Sequence, residues 1–304
     1  MSSFSLQDFK EFLRQKTGYV KETEKDIICR CPFCGDSVKN KNKGHLYISK
    51  DLDVFHCFRC DEAGPVSLLL QLLEYDGPVP PSTKKSASKV YAVRQSRSLK
   101  FPLCNEPYKQ DYLISRGVDL DKELMYRIVW RLDTFLEENY IQLNIDYGLL
   151  KLLSEYYVGF LTYFGERIIF RRIDTVYNDW YRYYNIRIGN KLDYYVLNNY
   201  DYRDFPTVVV SEGVFDTIAA YNKLNYEQSV FVSALSKGFA SAFFWTCYAF
   251  VLTKVDLVLV LDNDVSVERY KWLAKNKFVR SLKFVIPKDG KDIAESEQFI
   301  EVDI

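Results

Sequence analysis

The chain has 304 residues, 48% apolar and 27% charged, with 41 basic side chains balancing 41 acidic ones. That length holds two or three modest domains, each able to bury a core. No apolar run is long enough to span a bilayer, so a membrane partner is excluded, and overall charge argues neither for nor against nucleic acid.

The N-terminal segment MSSFSLQDFKEFLRQ is polar and amphipathic, unlike a signal peptide. A cytoplasmic location is therefore expected, where thiols stay reduced. Seven cysteines in that setting point to metal ligation rather than a disulfide framework.

Residues 29–60 read CRCPFCGDSVKNKNKGHLYISKDLDVFHCFRC. Two Cys-x-x-Cys pairs, Cys31/Cys34 and Cys57/Cys60, each present two sulfurs to one point, and a hairpin between them completes a tetrahedral Zn2+ shell. Four protein ligands leave no open coordination position, so the zinc would be structural. Cys29 is a rival first ligand, and His45 and His56 are possible substitutes. HLYIS and DVFHCF alternate as strands with KDLD as their turn. Lys39, Lys41, Lys43, Lys50 and Arg59 lie beside Tyr47, Phe55 and Phe58. Basic groups of that kind contact phosphates and aromatic faces stack on unpaired bases, although a solvated loop reads the same way. Cys104 and Cys247 stand alone and read as core residues.

GPVSLLLQLLEY reads as a short helix capping this ribbon. DGPVPPSTKKSASKVYAVRQSRSLK then has the composition of a connector, basic and without acids from Ser82 to Lys100. It would let the ribbon swing, and either tracks phosphates or is a plain tether. YKQDYLISRGVDLDKELMYRIVW predicts two helices separated at Arg116-Gly117. After another helical stretch, GFLTYFGERIIFRRIDTVYNDWYRYYNIRI predicts antiparallel strands turning at Val176–Asp179. Arg167, Arg171, Arg172, Arg182 and Arg187 fall in this span, with Arg167 and Arg171 on one strand face. Such a surface suits phosphate groups, unless Glu166, Asp174 or Asp179 pair with it.

The last region alternates strands and helices. TVVVSEG, SVFVSAL, DLVLVLDND and KFVIP read as strands. VFDTIAAYNKL, KGFASAFFWTCYAFVL and SVERYKWLAKNK read as helices. This implies a parallel sheet covered on both faces, with function beyond the carboxyl ends of its strands. Glu212, Asp262, Asp264 and Asp292 sit at such ends. Converging carboxylates repel one another, and Mg2+ resolves that while orienting a triphosphate for attack by a 3′ hydroxyl. Asp264 could instead cap the following helix.

CPFC…FHCFRCDEAG, YLISRG, GERIIFRRID, SEGVFDTIAA, VLVLDND and KDIAE occur in the order found in bacterial-type DNA primases. Taken together, they make the chain resemble the stand-alone primases of tailed bacteriophages over nearly its whole length. The resemblance implies an α+β multidomain protein. Residues 1–75 would form a zinc-ribbon DNA-binding domain and 76–100 a basic linker. Residues 101–205 would be the basic subdomain of an RNA polymerase domain, and 206–304 a TOPRIM α/β subdomain with a parallel sheet. Glu212, Asp262, Asp264 and Asp292 would serve the catalytic metals, and Arg167, Arg171, Arg172 and Lys291 would face phosphates. Lys237, in SALSKGF where a glycine-richer turn is usual, touches phosphate or is incidental. The implied activity is short RNA primer synthesis on single-stranded DNA from ribonucleoside triphosphates, with a replicative helicase as partner. A TOPRIM nuclease and a non-enzymatic recombination mediator are the alternatives. No Gly-x-x-x-x-Gly-Lys-Ser/Thr occurs, so no helicase motor is expected in this chain. Native mass spectrometry should find a single zinc ion per chain, and Cys57→Ser should lower that occupancy; a metal-free native chain overturns the ribbon assignment.

Overall fold

The computed structural model describes residues 5–33, 40, 42–50, 54–59, 62–66, 69, 70, 73, 75, 77, 99–173, 181–189, 192–198, 207–235 and 238–304. The turn expected at 176–179 and most of the expected 76–100 connector lie outside these residues. The described part is mixed α/β, built on three sheets. Among the described residues no helix is long and apolar enough to cross a membrane.

Helix α1 (Leu6–Thr17) starts where the Ser5 hydroxyl accepts the Asp8 N–H, and it buries Phe9 and Leu13, one turn apart. It packs on an antiparallel sheet of five strands in chain order: β1 (Val20–Glu22), β2 (Asp26–Cys29), β3 (Leu46–Ser49), β4 (Val54–Cys57) and β5 (Ala63–Pro65). β3 and β4 are the two strands read from alternation. Leu46, Ile48, Phe55 and Cys57 point into the core, while Tyr47 and His56 face out. Phe55, counted above among the nucleic-acid aromatics, is therefore a core residue at 1% exposure. Leu46 lies opposite both Cys29 and Cys57, which brings the cysteines to one end of the sheet. Gly44 permits this: a Cβ there would lie 2.3 Å from the Cys29 carbonyl oxygen.

The second region begins with helix α2 (Pro107–Ser115). Buried Lys109 pins it, donating to the carbonyls of Trp130 and Ser154 at 2.6 Å each, with Glu106 at 2.8 Å. The second helix expected after Arg116-Gly117 does not form. The Asp119 carboxylate caps a single 3-10 turn, Leu120–Lys122, and Arg127 adopts φ 54°. Strand β6 (Ile128–Val129) follows instead. Helices α3 (Leu132–Glu138) and α4 (Tyr147–Tyr156) then cover an antiparallel sheet of β6, β7 (Tyr157–Leu161), β8 (Arg167–Arg172) and β9 (Tyr183–Arg187).

The third region is a six-stranded sheet in the order β10 (Val196–Asn198), β12 (Ser229–Ser233), β11 (Thr207–Ser211), β13 (Val255–Val260), β14 (Val279–Pro287), β15 (Phe299–Asp303). The four inner strands are parallel and both edge strands antiparallel, so the sheet is mixed rather than wholly parallel. Helix α5 (Val214–Lys223) packs with Val209, Phe231 and Val258 on one face. Helix α6 (Phe239–Ala249) packs with Val208, Val210 and Leu257 on the other. Alternation along buried parallel strands supplies both layers. SVERYKWLAKNK, read as one helix, forms two 3-10 segments, Val267–Arg269 and Lys271–Lys275. Its buried Tyr270 and Leu273 are three apart, the period of that tighter coil.

The N-terminal sheet and the six-stranded sheet share one core. Phe33, from the first Cys-x-x-Cys turn, stacks on Phe55 at 5.3 Å between centroids and meets Trp272 at 6.0 Å and Phe244 at 6.2 Å. Glu62 accepts the Ser241 N–H at 2.7 Å at the start of α6. Phe244→Ala should cost about 3–5 kcal/mol in denaturant unfolding. It should also speed amide exchange at Phe55 and Cys57 in β4; unchanged exchange there would show that this contact does not hold the N-terminal sheet.

Candidate active site

β11, β13 and β14 are neighbours in the six-stranded sheet and end on the same edge. Glu212 follows β11, Asp262 and Asp264 follow β13, and Asp292 follows β14. The fold thus gathers the four acids expected from sequence at one place. The Ser211 hydroxyl meets the Thr217 hydroxyl at 2.6 Å, and Thr217 donates to the Gly213 carbonyl at 2.9 Å. These bonds lock the turn carrying Glu212 to the first turn of α5. Asp264 caps no helix; the chain reaches its first 3-10 segment only at Val267.

A fifth carboxylate joins them. Asp216, in the first turn of α5, accepts the Gly213 N–H at 2.9 Å. Burial, followed by the charges of Asp292, Asp262 and Glu212, pushes its carboxyl up to about 7. Asp262 is pushed up to about 6 by burial and then by Glu212 and Asp292, with Lys291 acting the other way. Sequence reading absorbed Asp216 into a helix, although its place four residues after Glu212 in SEGVFD was a usable signal. All these donors are hard oxygens, crowded enough that the Asp216 and Asp262 carboxyls hold their protons more tightly, and that chemistry fits a divalent cation such as magnesium. Among the described residues no three His, Cys, Asp or Glu side chains are placed to hold one metal ion as they stand.

The arginines lie on the four-stranded sheet. Arg167 pairs with Arg187 across β8 and β9, and Arg171 pairs with Tyr183. Burial, then the like charge of Arg187, lowers the Arg167 pKa. Arg171 is 8% exposed, donates Nε to the Tyr112 hydroxyl at 3.1 Å and lies 4.7 Å over the Tyr183 ring. Arg116 lies 5.2 Å over the ring of Phe215, the neighbour of Asp216, and Tyr112 meets the same ring edge-on at 6.1 Å. Among the described residues no carboxylate forms an ion pair with Arg116, Arg167 or Arg171. Sequence reading left out Arg116, Tyr112 and Tyr183. Arg172, next to Arg171 on β8, points to the other face beside Tyr157. Lys291 is exposed beside Asp262.

On the N-terminal sheet Cys31 and Cys57 are buried, and the Arg59 N–H points at the Cys57 sulfur at 3.4 Å. Cys34, Cys60, Lys39, Lys41 and Lys237 lie outside the described residues. Tyr47 and His56 both meet Phe58 edge-on, at 4.9 and 4.5 Å, and Phe58 is 64% exposed. Lys50 is engaged with Glu22 at 2.7 Å, whereas Lys43 and Arg59 are exposed.

No family model and no curated protein matches this chain. Among solved structures, it is similar to the zinc-binding and RNA polymerase domains of the Aquifex aeolicus primase. The identity is 16% over 97% of this chain and 81% of that one, with a TM-score of 0.45. It is also similar to a DnaG primase catalytic domain bound to ssDNA, at 17% identity, 62% and 68% coverage and a TM-score of 0.42. The RNA polymerase domain of Mycobacterium tuberculosis primase DnaG gives 13% identity, 62% and 70% coverage and a TM-score of 0.40.

The raised carboxyls set a pH dependence. Below about pH 3 the folded and unfolded chains both hold these protons. As pH climbs toward 7 the unfolded chain releases them first, so the folded state loses stability, and above about 7 the loss is complete. In EDTA, thermal melting should therefore show Asp216→Asn stabilising by roughly 1–3 kcal/mol at pH 8 and by much less at pH 5. Equal effects at both values would remove Asp216 from the charge cluster.

Proposed function

We propose that this chain is a DNA-dependent RNA polymerase of the primase type, joining ribonucleotides on a single-stranded DNA template. The observation that carries this reading is the meeting of two surfaces. Four carboxylates follow adjacent parallel strands and a fifth, Asp216, joins them from the first turn of α5, where Phe160 of the arginine-bearing sheet meets Phe215 edge-on and Arg116 lies over the same ring. A carboxylate cluster alone suits nuclease and polymerase alike. Arg116, Arg167 and Arg171, which have no carboxylate ion pair among the described residues, add a place beside it for the phosphates of an incoming triphosphate.

In this reading Glu212, Asp216, Asp262, Asp264 and Asp292 hold magnesium. Magnesium, when bound, neutralises the triphosphate and favours attack by the 3′ hydroxyl. Arg171, aimed by Tyr112 and backed by Tyr183, binds and orients phosphate, and Arg116, Arg167 and Lys291 add positive charge around it. Arg172, on the opposite face, would contact a separate phosphate. Cys31, Cys34, Cys57 and Cys60 would bind zinc and hold the sheet that displays Tyr47, His56 and Phe58. Those rings stack on template bases while Lys43 and Arg59 meet the backbone. A replicative helicase is the partner such an activity calls for.

Incubation with mixed-sequence single-stranded DNA, labelled ribonucleotides and magnesium should give short RNA products. DNA fragments instead would mark a nuclease, and no product of either kind a DNA-binding mediator. Asp262→Ala should reduce synthesis at least about 100-fold while leaving DNA affinity within about twofold, by analogy with loss of a metal ligand. Full activity in that variant would remove Asp262 from the site.

A further inference from the structure

Asp292 is the one acid of the cluster that stands on a long loop, between β14 and β15. Loops of that kind are mobile unless their backbone is tied. This one is tied from three sides. Asn263, lying between Asp262 and Asp264, donates its backbone N–H to the Lys291 carbonyl at 3.0 Å and its side-chain amide to the Gly290 carbonyl at 2.8 Å. Lys223, in the last turn of α5, donates to the carbonyls of Ile293, Ala294 and Ser296 at 3.1, 3.3 and 2.7 Å. Asp289 closes the loop on itself, accepting the N–H groups of Glu297 and Gln298 at 3.1 Å each and the Ser296 hydroxyl. Gly290 lets the strands of the loop meet, since a Cβ there would lie 2.9 Å from the Glu295 carbonyl carbon.

We propose that Asn263 and Lys223 are positioning residues that hold the Asp292 loop in register with Asp262, so that the two carboxylates bind one divalent cation together. This rests on the metal-dependent reading given above. The connectivity argues for it. Asn263 couples Asp292 to the loop of Asp262 and Asp264. Lys223 couples Asp292 to the helix whose opposite end carries Asp216. Neither side chain lies among the acids it aligns; each works through backbone carbonyls next to Asp292. The three carbonyls match the three donors of Lys223, and exposed Glu297, at 3.4 Å, adds only a weak ion pair. A lysine spent on three consecutive-loop carbonyls fixes a conformation, and an ammonium with three donors matches that task.

The test is Mn2+ binding to the full chain without nucleotide or DNA, followed by electron paramagnetic resonance of the free ion. Lys223→Met and Asn263→Ala should each raise the Mn2+ dissociation constant by roughly 10–100-fold, the range seen when groups supporting a metal ligand are removed. Lys223→Arg should recover most of that loss. In primer synthesis the same variants should need more magnesium for half-maximal rate but approach the wild-type rate at saturation. A merely structural role would lower the melting temperature without moving the metal requirement. Should Lys223→Met fail to fold, Asn263→Ala, at an exposed position, still decides the matter. Mn2+ affinity unchanged from wild type in Asn263→Ala overturns the proposal alone. A wild-type chain that binds no Mn2+ overturns both the proposal and the metal-dependent reading.

Discussion

Like charges held together dominate this molecule. Parallel strands that end side by side bring the residues just after β11 and β13 together, and the tied loop after β14 brings Asp292 to them. The cost appears as carboxyls at Asp216 and Asp262 that give up their protons late. Much of the surrounding structure serves to bear that cost. Thr217 fixes one loop, Asn263 joins two others, and Lys223 ties down three carbonyls of the Asp292 loop.

The facing sheet shows the same tension with the sign reversed. Arg167 and Arg187 are directly opposed across two strands, a pairing that ordinarily destabilises a sheet. Aromatic rings rather than carboxylates steady Arg171 and Arg116. Rings support a guanidinium without cancelling its charge, so the basic surface stays available to an anion. The two halves therefore carry opposite charge, acidic at the strand ends and basic on the facing sheet.

The sequence made some of this legible and hid the rest for physical reasons. Buried parallel strands such as TVVVS and DLVLVL are apolar runs bounded by polar turns, so the sheet and the acids at its edge could be read directly. Edge strands β10 and β15 are short or half exposed and carry no such run. SVERYKWLAKNK has spacing that satisfies either coil, and tertiary burial of Tyr270 and Leu273 chose the tighter one. Asp216 was masked by a good helix pattern around it. Phe55 looked like a stacking residue because its neighbours are basic, yet strand alternation sends it inward. Tyr112 and Lys223 act through contacts distant in sequence, and no local pattern announces those.

Phe33 sits inside the first Cys-x-x-Cys turn and fills a hole lined by Phe55, Phe244 and Trp272. The same few residues therefore lead into the first Cys-x-x-Cys turn and plug a seam between two sheets. Any change of backbone at Cys31 and the closing of that seam are therefore thermodynamically linked, each drawing on the other's free energy. A disturbance of that turn would thus be felt directly as a loosened α6.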